Sequence, residues 1–548
     1  MPYERNRVKG RIRGRCYEPV IIKCEGSVSE ELGERIKELD YNTPLMISAQ
    51  TGSGKNYAII HVAIPYLRSR GLRGLIVASR TAITTQFKKE LVKETGQESL
   101  LEELTEQGWE KHAEFDGVTV ITYQALYLMM KYHPEKLGLY DLIVFDEIHA
   151  LLEDASFVSC TGYILKNIQE VFGTRMRIYL TATPEEILPE LVRAEEGWPL
   201  TVLVFRRDYS YVRLHFFHDM GEITSRINRD KSNNKWLWYV PSIRQGEEVS
   251  SRLNCPVKML NSVMRGLDPD EWARTLNEQR FDEKVAIATS VIDAGVNLWD
   301  NQLKNIVYCG SSLISLRQFL GRKRYSGEGT VNLYVWCPSK EDAQRASHEA
   351  EALHNALEEM DSNYQGFIEH HVLSPREHRD DMRRFVFVDT TGKLRVNPLA
   401  KVKLKNEREF FANLLERVKK NQGNCGYDRM VASCLGIRGL DYEKCWLDVR
   451  YNGKAKAELE KLVLDAVGGL MDEEGFMAFA DRFRNLCVLA YGKGEGGKDR
   501  IDRTWGVTKI NNKLEELGFD CHVQVNKDDK LYSVVTTENG FEEEDNYE

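Results

Sequence analysis

The chain has 548 residues, 42% hydrophobic and 29% charged, a globular composition whose length calls for three or four domains rather than one. No run of about eighteen apolar residues occurs and no apolar core follows the first residues, so neither a membrane span nor a secretory signal is expected. The eleven cysteines include no Cys-x-x-Cys pair, which argues against a zinc ribbon and fits reduced thiols in a cytoplasm, and a net charge of −9 means that nucleic-acid binding needs local basic surface.

Arg5, Arg7, Lys9, Arg11, Arg13 and Arg15 recur at every second residue, so an extended segment would carry them all on one face. Residues 1–26 are therefore read as a basic arm, either lying along a phosphate backbone or solvated as a loose terminus. Short apolar runs then alternate with helical stretches, with strands expected at 44–48, 74–78, 118–122, 141–146, 177–181 and 201–205. The alternation restarts with 211–217, 236–240, 256–260, 284–288, 304–309 and 330–336. This predicts two successive α/β units, residues 27–205 and 206–338, each a parallel sheet covered by helices. Residues 339–548 read as a mainly helical accessory domain, with amphipathic stretches over 342–360 and 406–420. A glycine-rich linker at 492–497, a helix and hairpin over 509–536 and an acidic tail at 541–548 follow. The helix and hairpin fit a small winged element or any other αββ cap.

The most informative stretch is Ala49-Gln50-Thr51-Gly52-Ser53-Gly54-Lys55. It lies between an apolar strand, 44–48, and a helical stretch, 57–63, the setting that a phosphate-binding loop requires. Glycines let backbone N–H groups turn toward phosphate oxygens, and the helix N-terminus adds its positive end. Lys55 supplies a point charge for the β- and γ-phosphates. About ninety residues later the run Leu142–Phe145 ends in Asp146 and Glu147. A carboxylate there can hold Mg²⁺ and its neighbour can polarise an attacking water.

Further motifs follow in order: Thr181-Ala182-Thr183-Pro184 at a strand end, Thr289-Ser290-Val291-Ile292-Asp293-Ala294-Gly295 after another strand, and Gln318-Phe319-Leu320-Gly321-Arg322-Lys323-Arg324. Over residues 40–338 this series resembles the superfamily 2 helicases, in the DExH spelling Asp146-Glu147-Ile148-His149. The spelling is closer to bacterial and to mobile-element or phage members. The resemblance implies two tandem RecA-like domains with ATP in the cleft between them. Thr51, Gly52, Ser53, Gly54, Lys55 and Asn56 would hold the phosphates, with His149, Asp293 and Gly295 also at the nucleotide. Asp146 would bind Mg²⁺ and Glu147 would activate water, while Gln318 would link the nucleotide to the second domain. Arg322 and Arg324 would act as arginine fingers, worth about 10³–10⁵ in rate. It also implies strand contacts at Arg80, Thr81, Thr122, Ser242, Thr289 and Ser290; without the motif order, the hydroxyl residues read equally as helix caps.

Two positions depart from the pattern. Asn56 stands where the loop usually has Ser or Thr, although an amide oxygen can also ligate Mg²⁺. Arg324 follows Arg322 by two residues instead of three, and on a helix one residue rotates a side chain by about 100°. Glu369-His370-His371 with His378 fits no standard metal spacing, so surface or core histidines are expected. Cys160, Cys309 and Cys337 read as buried thiols. The sequence thus points to an ATP-dependent helicase or translocase on single-stranded or tailed nucleic acid, DNA favoured over RNA. The alternatives are a nucleotide-dependent clamp or scaffold with little hydrolysis, and the motor subunit of a larger DNA-processing complex.

Overall fold

The computed structural model describes residues 6–7, 10–12, 15–40, 43–103, 106–195, 197–293, 297–324, 327, 329–373, 385–388, 391–420, 426–447, 453–491, 505–517, 519–526 and 529–536. Two sheets organise it. The first has nine strands, in the order Asn6–Arg7, Val20–Cys24, Thr201–Phe205, Leu45–Ser48, Met176–Thr181, Leu142–Phe145, Gly74–Ala78, Val118–Thr122, Glu114–Phe115. Its inner strands are parallel and only the two edge strands run antiparallel. The second has six parallel strands, ordered Val212–Phe217, Val331–Trp336, Leu303–Tyr308, Lys235–Tyr239, Val285–Ala288, Val257–Leu260. Strands such as Leu45–Ser48, Gly74–Ala78 and Leu142–Phe145 are buried along their whole length, as sheets covered on both faces require. These are two tandem α/β domains, each built on a largely parallel sheet.

Each strand expected from the apolar runs is present within a residue or two. The basic arm is different. Val20–Cys24 is an interior strand, paired in parallel with Thr201–Phe205, so the first sheet begins before residue 27. Gly10–Ile12 and Arg15–Tyr17 pair as an antiparallel hairpin, and their ladder bonds fold the segment back on itself. The basic side chains of that segment lie outside the described residues.

The region after 338 falls into two parts. Helices Lys340–Ser362 and Pro398–Lys420 share the cores of the two sheets. Leu357, Met360, Leu399 and Leu404 pack with Ile148 and Leu151 of the first domain. Leu414, Tyr427 and Val431 pack with Phe319 and Leu320 of the second. Asn397 fastens the start of the long helix to the segment after Glu147, donating to Ala155 O, Val158 O and Thr161 Oγ1 at 3.2, 3.1 and 2.7 Å. A separate core of Leu459, Phe479, Phe483, Ile510, Leu514 and Val534 holds helices Gly453–Ala466, Glu473–Tyr491 and Val507–Glu516 against a three-stranded sheet. The helix and hairpin expected over 509–536 belong to this unit. The linker 492–497 and the tail 541–548 lie outside the described residues. Among the described residues no helix is long and apolar enough to cross a membrane.

Candidate active site between the two sheets

Every motif of the first sheet sits at the carboxyl end of a parallel strand, where α/β folds place ligands. Leu45–Ser48 runs into the glycine loop, Leu142–Phe145 into Asp146 and Glu147, Met176–Thr181 into the Thr-Ala-Thr turn. Across from them lies the helix Leu313–Arg322 of the second domain. Between them is a cleft of about 780 Å³, lined among others by Thr51 to Asn56, Asp146, Glu147, His149, Gln318, Arg322 and Arg324. That volume suits a nucleotide-sized ligand.

The loop turns on Gly52 and Gly54, both at φ +87°, in the left-handed region that favours glycine. Lys55 opens the following helix and is buried. Its Nζ donates to Ala49 O at 3.0 Å and Gln50 O at 3.4 Å, and lies 3.9 Å from Glu147 Oε1. Burial lowers its pKa, opposed by the charges of Glu147 and Asp146. Gln50 anchors the loop to the interdomain linker: its Oε1 accepts from Asp208 N at 2.9 Å and its Nε2 donates to Asp208 O at 3.2 Å.

Two buried carboxylates next to each other cannot share one environment. Burial and then the charge of Glu147 push Asp146 above the usual carboxylate range. Glu147 is drawn below it, because Lys55, His149 and Arg322 outweigh the burial that opposes them. Glu147 also has φ +47°, a left-handed backbone that costs a non-glycine residue about 1–3 kcal/mol. Nothing in the sequence signalled this strain at the acidic motif.

His149 links the domains. Gln318 Nε2 donates to His149 Nε2, and His149 Nδ1 lies 2.9 Å from Thr181 Oγ1. This relay requires the tautomer with hydrogen on Nδ1. Thr181 Oγ1 in turn accepts from Thr183 N at 2.9 Å. A chain of hydrogen bonds therefore runs from the second-domain helix through the acidic motif to the Thr-Ala-Thr turn.

The two arginines behave differently from a helical expectation. The helix ends at Arg322, and Lys323 is extended at φ −74°, ψ 110°. Leu298 N donates to Arg322 O at 2.8 Å, and Arg324 N to Leu298 O at 3.0 Å. In an extended strand residues two apart share a face, so the shortened spacing brings both guanidinium groups to the cleft. Arg322 Nε is held by Gln318 O at 3.2 Å and Arg324 Nε by Asn297 Oδ1 at 2.9 Å. Arg324 Nη1 reaches so near Gly52 that a Cβ there would stand 2.4 Å from it. Gly321 meets the loop as closely, its Cβ position lying 2.6 Å from Thr51 Cβ.

Asp146 Oδ1, Glu147 Oε2 and Arg324 Nη1 are buried with no hydrogen-bond partner. Unsatisfied acceptors and a donor facing one space fit a metal-bound polyphosphate. Asp146 and Asn56 could supply hard oxygens to such a metal.

Three of the residues expected at a nucleic-acid strand have structural partners. Arg80 forks onto Asp154, with Nη2 2.6 Å from Oδ1. Thr122 caps the helix Tyr123–Tyr132 by accepting from Ala125 N at 3.2 Å, and Ser242 caps Ile243–Ser250 from Gln245 N at 3.2 Å. Thr81 is the first residue of the helix Thr81–Glu94, Thr289 is buried, and Ser290 is exposed at the cleft. Gly295 and the side chain of Asp293 lie outside the described residues, as does His378. His370 Nδ1 and His371 Nε2 pair with Glu359 at 2.7 and 3.0 Å. Cys309 and Cys337 are buried, while Cys160 is partly exposed.

Residues 21–186 match the family described as "Type III restriction enzyme, res subunit". The match takes in every motif of the first sheet. Among solved structures the chain resembles the Mycobacterium smegmatis helicase Lhr bound to ssDNA and AMP-PNP, at 17% identity and TM-score 0.43, over 70% of this chain and 60% of that one. It resembles Mss116p bound to ssRNA and AMP-PNP at 12% identity and TM-score 0.44, over 78% of this chain and 99% of that one. It resembles the DUF1998 helicase MrfA bound to DNA and AMPPNP at 15% identity and TM-score 0.44, over 58% of this chain and 48% of that one. The chain thus spans less than two thirds of Lhr and about half of MrfA.

Proposed function

We propose that the chain is an ATP-dependent nucleic-acid helicase or translocase whose two RecA-like domains close on the nucleotide and move a bound strand. The observation that carries this reading is the convergence of Lys55, Asp146 and Glu147 from one domain with Gln318, Arg322 and Arg324 from the other on one cleft. When bound, ATP with Mg²⁺ supplies the phosphoanhydride to be cleaved and a cation that offsets phosphate charge. The loop amides and Lys55 Nζ hold the phosphates, and Asp146 and Asn56 hold the metal. Glu147 Oε2, drawn toward its charged form, accepts the proton of the attacking water. Arg322 and Arg324 bring positive charge to the transferring group only when the domains close, which ties turnover to closure. The Gln318–His149–Thr181 relay carries that closure to the strand-binding face.

Arg80, Thr81, Thr122, Ser242, Thr289 and Ser290 are our candidates for that face, since hydroxyls and helix N-termini position phosphates without reading bases. DNA is the strand we favour, because the matched family is that of a restriction-enzyme subunit. Residues 339–548 are our candidate accessory part of the motor, with the hairpin of Cys521–Asn526 and Leu531–Thr536 as its wing.

The test is steady-state ATP hydrolysis with single-stranded DNA, single-stranded RNA or neither, followed by unwinding of 3′- and 5′-tailed duplexes. Stimulation by a strand, strongest with DNA, is expected. ATP binding without turnover would overturn the motor and leave a nucleotide-dependent clamp.

A further inference from the structure

Among the described residues, an ion pair joins the two domains outside the nucleotide-facing groups. Arg317 Nη1 and Nη2 donate to Glu185 Oε1 and Oε2, each at 2.9 Å. Such a planar fork fixes orientation as well as distance. Arg317 lies on the helix Leu313–Arg322, next to Gln318 and on the element that ends in Arg322. Glu185 directly follows the turn Thr181-Ala182-Thr183-Pro184. Neither residue lines the cleft. The Arg317 side chain is only 6% exposed, whereas that of Glu185 is 49% exposed.

A third group shares the carboxylate. Arg207, on the linker between the sheets, donates from Nη1 to Glu185 Oε1 at 2.9 Å and from Nη2 to Ala182 O at 3.0 Å. Arg207 can keep Glu185 in place when the second domain withdraws, while Arg317 gains its partner only on closure. A guanidinium buried without a partner is strongly unfavourable. The closed arrangement therefore depends on Glu185 meeting Arg317.

We propose that Glu185 and Arg317 form a positioning latch: by docking the helix Leu313–Arg322 onto the Thr-Ala-Thr turn, the pair sets Gln318, Arg322 and Arg324 at the nucleotide and makes turnover depend on closure. The latch rests on the motor reading above. Sequence spacing did not mark it, because each residue sits beside a motif rather than within it.

The test measures kcat and KM for ATP at saturating single-stranded DNA, together with the thermal midpoint. Glu185→Gln and Arg317→Met are expected to lower kcat about tenfold or more, with KM changed less than about threefold, since the loop and Lys55 are untouched. A modest fall in thermal midpoint at neutral pH accompanies loss of the ion pair, so recovery in Arg317→Lys and the kcat-against-KM split carry the distinction. Arg317→Lys keeps the charge but not the fork and should recover part of kcat. Unchanged kcat in Glu185→Gln, or a fall in kcat that tracks a fall in thermal midpoint with no recovery in Arg317→Lys, would overturn the latch. Lys55→Ala separates the two proposals. If it still hydrolyses ATP, the motor reading fails; if it is inactive while Glu185→Gln turns over normally, only the latch fails.

Discussion

Gly321→Ala puts domain closure to a direct test. The added Cβ would stand 2.6 Å from Thr51 Cβ, 2.9 Å from Cγ2 and 3.1 Å from Oγ1. Ordinary contact starts at 3.4 Å, so the overlap with Thr51 Cβ is 3.4 − 2.6 = 0.8 Å. Rotation about χ1 cannot relieve it, because Cβ is fixed to the backbone of the phosphate loop. Overpacking of this kind costs about 1–3 kcal/mol. Here the clash exists only when helix Leu313–Arg322 is seated on the loop, so the cost falls on the closed arrangement. At about 1.4 kcal/mol per tenfold, the closed fraction should drop about five- to 150-fold, and kcat with it. Alanine is meanwhile the better helix former by about 0.5–1 kcal/mol, so the thermal midpoint should hold or rise. The assay is strand-stimulated ATP hydrolysis alongside thermal unfolding. Wild-type kcat in Gly321→Ala would refute the argument, since the two surfaces would then not meet during turnover.

Arg322→Ala and Arg324→Ala should each cut kcat by about 10² or more with little change in ATP affinity, because both guanidinium groups face the cleft; a near-normal Arg324→Ala would show that its reach to Gly52 plays no part in hydrolysis. Glu147→Gln should retain ATP binding, measured with a fluorescent analogue, while hydrolysis slows by about a hundredfold or more; collapsed affinity with residual turnover would make Glu147 a structural residue. Glu185 is held down to a pKa of about 2: burial raises it, but the fork to Arg317 and the charge of Arg207 prevail. A depressed carboxyl contributes stability that is present above its unfolded pKa of about 4.3 and lost as pH falls toward the folded value. Thermal midpoints of wild type and Glu185→Gln should therefore differ most at neutral pH and converge between about pH 4 and 2; a constant difference across that range would mean that the ion pair contributes nothing.

The strands, the phosphate loop, the acidic strand end and the glycine–arginine motif were legible in the sequence because each is local. An apolar run bounded by polar residues reads as a buried strand, and a glycine loop before a helix reads as a phosphate site, without knowledge of what packs against it. Val20–Cys24 was hidden because its partner strand, Thr201–Phe205, is remote in the chain and the neighbouring arginines dominate the local pattern. The spacing of Arg322 and Arg324 looked defective only on the assumption of a continuing helix; the pairing of Leu298 with Arg322 and Arg324 ends the helix and turns both side chains to one face. The left-handed backbone at Glu147 is likewise invisible in one dimension. The accessory region read as one helical domain, yet its first part shares cores with both sheets and its last part has its own, a division set by which apolar faces meet. Local composition thus determined the elements and most of the candidate site residues. Their alignment across the cleft, and the Glu185–Arg317 pair that seats one domain on the other, came from contacts between residues far apart in the chain, which only the folded packing creates.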